Sequence, residues 1–328
     1  MSQPIVSVII PTYKRNTTIE RAINSVLNQT FHNFEIIVVD DNDEKSIYRK
    51  LNEKLMKKYR SNDKVIYLKH KKNINGAAAR NTGILYSSSK YIAFLDDDDE
   101  YLADKLAQQV KLLEKLDDTW GAVYCGCSIY RKNKLLQRNL NLGSVNLKKK
   151  LLLMENPIRG GSTLLMKSSI LKELDGFDIT FSRHQDWELL IRFFRKYRIA
   201  YVNRILVKLL LDDRKNITDP ENIVLIKEKY LRKFKKDIEE MPISLQKEIY
   251  KRHYLEITRS FIKNKKYNRA FEYYKKSKKF SKILLIDYIK LISTLIDSII
   301  PIKEFLIINI IRISRYFNYD KLLKAFNR

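Results

Sequence analysis

A chain of 328 residues has material for one large domain or two smaller ones, and its 45% hydrophobic and 31% charged residues suit a folded protein with a heavily charged surface. The formal net charge of +26 favours anionic partners, whether nucleic acid, anionic lipid head groups or phosphorylated substrates, and does not choose among them. Acidic clusters stand in the first half, at Asp40-Asp41-Asn42-Asp43 and Asp96 through Glu100, whereas the last third is dominated by Lys and Arg. That asymmetry points to an acidic site in one part and an electrostatic docking surface in the other. The two cysteines, Cys125 and Cys127, share one face of an expected strand and read as a reduced, cytosolic pair. The N-terminus carries no basic n-region and no small-residue cleavage site, so no signal peptide is expected.

The first half alternates strand and helix patterns. Val6 to Ile10 is a short β-branched run ending at Pro11, which suits a buried parallel strand. Thr17 and Glu20 have the spacing of a capping box, and Ile19, Ala22, Ile23, Val26 and Leu27 then recur at helical spacing. Phe34 to Val39 forms a second strand closed by Asp40 and Asp41, and a charged helix covers Lys45 to Tyr59. Val65 to Leu68 is a third strand. Gly76 opens a small-residue helix, Tyr91 to Leu95 is a fourth strand ending in four aspartates, Leu102 to Leu113 a further helix, and Ala122 to Tyr130 a fifth strand. The series predicts an α/β fold, a mainly parallel sheet with helices on both faces. Ligands of such sheets bind beyond the carboxyl ends of the strands, where Asp40 and the Asp96 cluster both lie.

From about Glu221 the pattern turns helical. Tyr250 to Lys279 reads as a basic helical hairpin with Tyr267-Asn268 near its turn. The apolar segment from Ile283 to Ile313 is interrupted by Asp287, Lys290, Asp297, Lys303 and Glu304, so it holds no uncharged run of the roughly 18 to 20 residues a bilayer span needs. Interfacial or partner-binding helices fit that pattern. The chain is therefore divided into a catalytic domain, residues 1–220, and a basic, partly amphipathic helical region, residues 221–328.

Asp96-Asp97-Asp98-Asp99 is the most informative feature. Four carboxylates at one strand end raise one another's pKa, and a divalent cation such as Mn²⁺ or Mg²⁺ would relieve the repulsion; the bland reading is a solvated acidic loop. Asp40 is placed to accept hydrogen bonds from a nucleobase or ribose, or else to serve as a turn or cap residue. No G-x-G-x-x-G is present, so phosphate would be handled by a metal and by basic side chains. Arg80, among the small residues Gly76 to Ala79, reads equally as a nucleotide contact or a surface arginine. Asp186 opens a helix with Trp187 and Glu188; the helix dipole would keep it ionised, as a general base or merely as a cap.

Taken in order over about the first 210 residues, these segments resemble the family 2 glycosyltransferases with their GT-A fold. Val6 through Arg15 is similar to the family's opening strand and nucleotide loop, and Phe34 through Asp41 to its second strand and base-binding aspartate. Gly76 through Asn81 resembles its small-residue helix, Phe94 through Asp99 its D-x-D metal motif, and Asp175-Gly176-Phe177-Asp178 with Gln185-Asp186-Trp187 its acceptor-side segments. The resemblance implies that Pro11, Thr12, Tyr13 and Arg15 border a nucleotide-sugar donor, that Asp40 holds its base, and that Arg80 fixes it. It further implies that Asp96 and Asp98 position the cation with Asp97 close by, and that Asp186 deprotonates an acceptor hydroxyl, so that one displacement inverts the anomeric centre. Gly160-Gly161-Ser162 and Trp187 fall on the acceptor side, where the glycines form either a substrate loop or a simple turn. One departure stands out: where family members often carry a histidine, this chain has Asp212-Asp213-Arg214-Lys215-Asn216.

The resulting expectation is an inverting, metal-dependent transferase, with a UDP-sugar favoured, acting in polysaccharide, cell-surface glycan or glycolipid biosynthesis. It would be cytoplasmic, peripheral on the cytoplasmic face of the membrane near a glycan or lipid-linked acceptor, with the C-terminal helices docking there or pairing two copies in a homo-oligomer. No nucleic acid is expected. Two alternatives remain open at this point: a basic nucleic-acid-binding protein, and a sugar-nucleotide-binding scaffold without catalysis.

Overall fold

The computed structural model describes residues 3–140, 143, 146–156, 158–211 and 219–299, and the chain divides into two compact units, residues 1–215 and 216–328. Asp212 through Asn216, where the family histidine is missing, lie outside the described residues, as does the part of the apolar segment beyond Ile299.

The first unit runs β1 (Val6–Thr12), α1 (Ile19–Leu27), β2 (Phe34–Asp40), α2 (Ile47–Met56), β3 (Val65–Lys69), α3 (Gly76–Tyr86), β4 (Tyr91–Phe94), β5 (Glu100–Tyr101), α4 (Lys105–Leu113), β6 (Trp120–Arg131), β7 (Lys134–Asn139), α5 (Lys148–Leu152), β8 (Leu164–Lys167), α6 (Ser168–Glu173), α7 (Gln185–Phe193) and β9 (Arg198–Leu210). All but one residue of β1 is buried, which is why that strand reads as a continuous apolar run. Ile19, Ala22, Ile23 and Val26 form the buried face of α1. The expected capping box is not formed: the N-cap is Thr18, whose side chain makes no cap bond, and Glu20 instead pairs with Lys58 at 2.9 Å. In α3, Asn75 caps the helix by accepting from the Ala78 N–H at 3.0 Å. Gly83 lets this helix lie on the sheet, since a Cβ there would come within 2.6 Å of the Ile9 side chain.

The strands make one nine-stranded sheet in the order β3-β2-β1-β4-β8-β6-β9-β5, with β7 pairing β6 beyond the stretch that β8 covers. The neighbours from β3 to β4 are parallel, as are β6 and β9; β8 joins β4 and β6 in the antiparallel sense. The chain moves outward from β1 to β2 and β3, then returns to the other side of β1 as β4. That reversal is the topological switch point, and in open α/β sheets the ligand crevice lies outside the carboxyl ends of the two strands that flank it. Those ends are Thr12 on β1 and the residues following Phe94 on β4. Cys125 and Cys127 are free thiols buried in the core against Leu165 and Val207, as the reduced reading expects.

The second unit holds α8 (Pro220–Lys233), α9 (Lys235–Glu239), α10 (Ile243–Lys263), α11 (Tyr267–Lys278) and α12 (Leu285–Ile299). Helices α10 and α11 are the expected basic hairpin, with Tyr267 opening its second arm. A ladder of rings, Tyr250, Phe280, Tyr254, Tyr273 and Phe261, stacks through the unit at centroid separations between 5.0 and 6.3 Å.

Candidate active site

The four aspartates alternate. The turn after β4 is closed by the Asp99 N–H donating to the Asp96 carbonyl at 3.0 Å. Asp96 and Asp98 face outward, their side chains 39% and 21% exposed, whereas Asp97 and Asp99 are buried. Asp97 accepts from Thr12 Oγ1 at 2.7 Å and from Arg15 Nη1 at 3.1 Å. Burial pushes its carboxyl up to about 7, against the pull of Arg15. Asp99 accepts from Ser162 Oγ at 2.6 Å and from the Leu210 N–H at 3.1 Å, and burial holds its pKa well above the carboxylate range. Ser162 in turn accepts from the Asp96 N–H at 3.1 Å.

The Thr12 hydroxyl donates to the Asp97 carboxylate, stitching the end of β1 to the end of β4. Ser162 is fully buried and bonded to the aspartate turn. Gly160 beside it has φ +121 and open space where a Cβ would point, so it fits the turn reading and leaves its backbone accessible.

Arginine charge occupies both outward carboxylates. Arg15 pairs with Asp98 as well as Asp97, and Arg80 Nη2 donates to Asp96 Oδ1 at 2.6 Å. Arg80 is thus no idle surface arginine. Its other nitrogen donates to Gln185 Oε1 at 3.0 Å, and its guanidinium lies over the Phe177 ring at 5.6 Å. One side chain therefore ties the acidic turn to the start of α7. A Cβ on Gly76 would sit 3.1 Å from Arg80 Nη1 and 3.5 Å from Gln185 Oε1, so the guanidinium packs closely over this glycine.

Asp186 follows Gln185 in the first turn of α7, half-buried, with Asn156 Nδ2 at 3.5 Å. Burial raises its pKa above the ordinary carboxylate value, while Arg80 opposes that rise and Asp96 adds to it. The first-turn position of α7 acts in the opposite sense to burial, and the net direction is upward, which makes the carboxylate more basic. His184, in the left-handed region at φ 60, stacks on Trp187 with centroids 4.3 Å apart beside it.

Asp40 is fully buried. Its Oδ1 accepts from the Asn42 N–H at 2.9 Å and Asn42 Nδ2 at 2.8 Å; its Oδ2 accepts from Asn52 at 3.1 Å and Tyr67 Oη at 2.5 Å, with Arg49 Nε at 3.3 Å. Those partners fill the carboxylate's roughly four lone-pair positions. Asp40 is a structural hub that joins β2, β3 and α2. Arg49 reinforces the hub by donating to the carbonyls of Asp40, Asn42 and His70. Tyr13, on the loop that follows β1, is the exposed aromatic at this mouth, and Pro11 is half-buried at the end of the strand.

Sequence reasoning missed three supporting residues. Asn81 grips the Asp175 to Asp178 turn with two bonds to Phe177, donating to its carbonyl and accepting from its N–H, both at 2.8 Å. Arg192 forks onto the buried Glu188 at 2.6 and 2.7 Å and donates to the Gly176 carbonyl at 2.7 Å. Arg49 is the third, and the only hint of it was a charged residue on the inward face of α2.

The outward carboxylates suit a hard divalent cation: two oxygen donors two residues apart, with the remaining positions left to diphosphate and water. Among the described residues no group of three or more His, Cys, Asp or Glu side chains is gathered to hold a metal unaided.

Residues 7–175 match the family model described as glycosyl transferase family 2. The chain belongs to that family. Its similarity to curated relatives includes an uncharacterized glycosyltransferase, RP339, of Rickettsia prowazekii, 31% identical over 209 residues that make up 62% of this chain and 63% of the relative. The chain thus spans less than two thirds of that relative. It is also similar to WfgD of Escherichia coli, named a UDP-Glc:alpha-D-GlcNAc-diphosphoundecaprenol beta-1,3-glucosyltransferase, at 28% identity over 62% of this chain and 75% of WfgD. Among solved structures it resembles the mannosyltransferase PcManGT from Pyrobaculum calidifontis, in complex with GDP-Man and Mn²⁺, with a TM-score of 0.56 and 17% identity over 91% of this chain and 88% of that one. That likeness shows the GT-A fold, which the family 2 chain shares.

Proposed function

We propose that the chain is an inverting glycosyltransferase that moves a sugar from a nucleoside diphosphate, with UDP favoured, to an acceptor hydroxyl in polysaccharide, cell-surface glycan or glycolipid assembly. One observation carries the reading: the outward Asp96–Asp98 pair stands at the sheet's switch point, tied through Arg80 to the helix start that bears Asp186. A Mg²⁺ or Mn²⁺ held by Asp96 and Asp98 would offset the negative charge that develops on the departing diphosphate. Arg15 and Arg80 bring two fixed cations to the same place, pre-positioned where that charge appears. Asp186, made more basic by burial, takes the proton from the acceptor hydroxyl as it attacks the anomeric carbon. A single displacement inverts that centre, and no covalent sugar–enzyme intermediate is needed. Tyr13 offers a ring to the nucleobase, and Gly160 and Trp187 stand on the acceptor side.

WfgD, by its name, uses UDP-Glc and a diphosphoundecaprenol-linked acceptor, and PcManGT was captured with GDP-Man and Mn²⁺. A UDP-sugar and a lipid-linked or growing glycan acceptor are the corresponding reading here, with the protein peripheral on the cytoplasmic membrane face. Among the described residues no helix is long and apolar enough to cross a membrane. The deciding experiment measures binding and turnover of UDP-, GDP- and dTDP-sugars with Mn²⁺ or Mg²⁺, in the wild type and in Asp98→Ala and Asp186→Asn. Metal-dependent donor binding that is lost in Asp98→Ala, with turnover alone lost in Asp186→Asn, supports the reading. Binding of no nucleotide sugar under any metal condition sinks it, and donor binding with no transfer to any acceptor indicates a scaffold instead.

A further inference from the structure

We propose that α12, together with the lysines that lead into it, is a face that docks on the surface of an anionic phospholipid bilayer. The proposal rests on the peripheral-membrane part of the reading above and is independent of the sugar chemistry. Its starting point is an inverted helix. Leu285, Ile289, Ile292, Ile296 and Ile299 recur at three- and four-residue spacing and are all exposed, Leu285 at 76%, Ile292 at 55% and Ile299 at 62%. The buried residues of the same helix are polar, Asp287 and Thr294, one heptad apart. A helix that simply packed on its unit in water would bury the apolar stripe and expose the polar one.

The orientation is held by specific bonds. Asp287 accepts from the buried Lys251 of α10 at 3.0 Å and from the Leu284 N–H at 3.1 Å; Lys251 also donates to the Lys282 carbonyl at 3.3 Å. A buried ion pair contributes little net stability but sets register, and this register turns the aliphatic stripe outward. Next to the stripe, Tyr274 of α11 and Tyr288 of α12 meet hydroxyl to hydroxyl at 3.2 Å. Amphipathic rings of this kind favour the boundary between hydrocarbon and head groups. Leading into α12 are Lys275, Lys276, Lys278, Lys279 and Lys282, all exposed and none in an ion pair among the described residues. Apolar stripe, aromatic boundary and cationic rim together match a leaflet of anionic lipid. Asp287, Lys290 and Asp297 interrupt the helix, and among the described residues no helix is long and apolar enough to cross a membrane, so it would lie in the interface plane.

Charge argues against the other occupants. Residues 300–328 carry Lys303, Arg312, Arg315, Lys321, Lys324 and Arg328 against Glu304 and Asp320, and a second copy brings a further +26. Either would add positive charge to a rim that is already cationic, whereas lipid phosphates neutralise it.

The test is flotation of the full chain with vesicles of phosphatidylcholine alone, or with phosphatidylglycerol added, alongside sedimentation, thermal unfolding and nucleotide-sugar turnover. The wild type is expected to float with the anionic vesicles, less so as salt is raised. A triple variant, Leu285→Gln with Ile292→Gln and Ile296→Gln, should partition more weakly by on the order of 100-fold, with an unchanged Tm because these side chains are exposed. Replacing Lys275, Lys276, Lys278 and Lys279 by Gln should remove the preference for phosphatidylglycerol by more than about tenfold. Wild type that does not float overturns the proposal and the peripheral reading together. If the wild type floats and the triple variant floats equally well, the docking face alone is overturned. A triple variant whose Tm or oligomeric state changes while its flotation does not shows that the tail or a second copy covers the stripe, which also overturns it. Turnover on a detergent-solubilised or soluble acceptor is unchanged in both variants, so loss of the transferase reading would be seen separately.

Discussion

Asp186 is the residue on which the chemistry turns, and its environment fixes a sign. A general base works only when ionised, and burial raises the pKa of this carboxylate above that of a free aspartate. Turnover should therefore fall as pH drops through that raised value, giving an acid limb above the free-aspartate value; a pH–kcat profile checks it, and a limb at or below that value contradicts it. Asp186→Asn should keep donor affinity and lose about 10²- to 10⁴-fold in kcat, as removal of a general base does. The aspartate run shows what a sequence can and cannot say at this scale. Four consecutive carboxylates announced an acidic site, and in the turn Asp96 and Asp98, the two ligands the motif implies, are the more exposed pair. Nothing in the letters told that Asp97 and Asp99 are anchors, because their partners Thr12, Ser162 and Leu210 come from distant strands. For Asp40 the place at a strand end was legible, but the ring of Asn42, Asn52, Tyr67 and Arg49 around it forms only in three dimensions.

Between elements, two contacts make stability predictions. The turn after α6 reverses at Gly176, φ +62, where a Cβ would come within 2.4 Å of Asn81 Oδ1. Gly176→Ala should cost about 2 kcal/mol or more in urea unfolding, from the left-handed backbone and the clash together, and should loosen the grip of α3 on the segment before α7. In α4, Lys105 is fully buried, its ammonium donating to Gln109 Oε1 at 2.7 Å and lying 4.0 Å from the Tyr101 ring centroid. Burial lowers its pKa to about 8 from 10.5. Between those values the unfolded chain holds a proton that the folded chain does not, so this group makes stability rise with pH. Lys105→Met removes that slope. Its stability relative to wild type should be better at pH 7 than at pH 10 by about 2 to 3 kcal/mol, read from unfolding at both pH values; equal differences would show that the buried ammonium carries no penalty. The sequence revealed β1, β2, β3, β4 and β6 because they are apolar runs, while β5, β7, β8 and β9 went unread. β8 is only four residues long, and β9 mixes Arg204 and Lys208 into its apolar positions because the strand is only partly covered.

For the whole molecule the dominant number is +26, and it makes a prediction that separates function from side effect. A chain of this charge will bind DNA or RNA at low salt simply by releasing condensed counterions, and such binding falls steeply, roughly as a high power of salt concentration. No part of the candidate active site takes part in that attraction: the acidic turn repels phosphate until its carboxylates are neutralised, and the exposed lysines of α11 lie in the other unit. In a titration from low to physiological salt, retention on immobilised DNA should collapse. Donor binding in the presence of Mn²⁺ should weaken far less, because it depends on close contacts at Asp96, Asp98, Arg15 and Arg80, partly shielded from the bulk ions that screen exposed charges. Sequence-selective DNA binding that survives physiological salt, coupled with donor binding that does not, would reverse the assignment and make the basic surface the function. The charge asymmetry between halves was visible from the letters alone, yet its meaning was not. Only the folded second unit shows lysines set beside an outward apolar stripe, an arrangement suited to a flat lipid surface and poorly suited to the grooves of a nucleic acid.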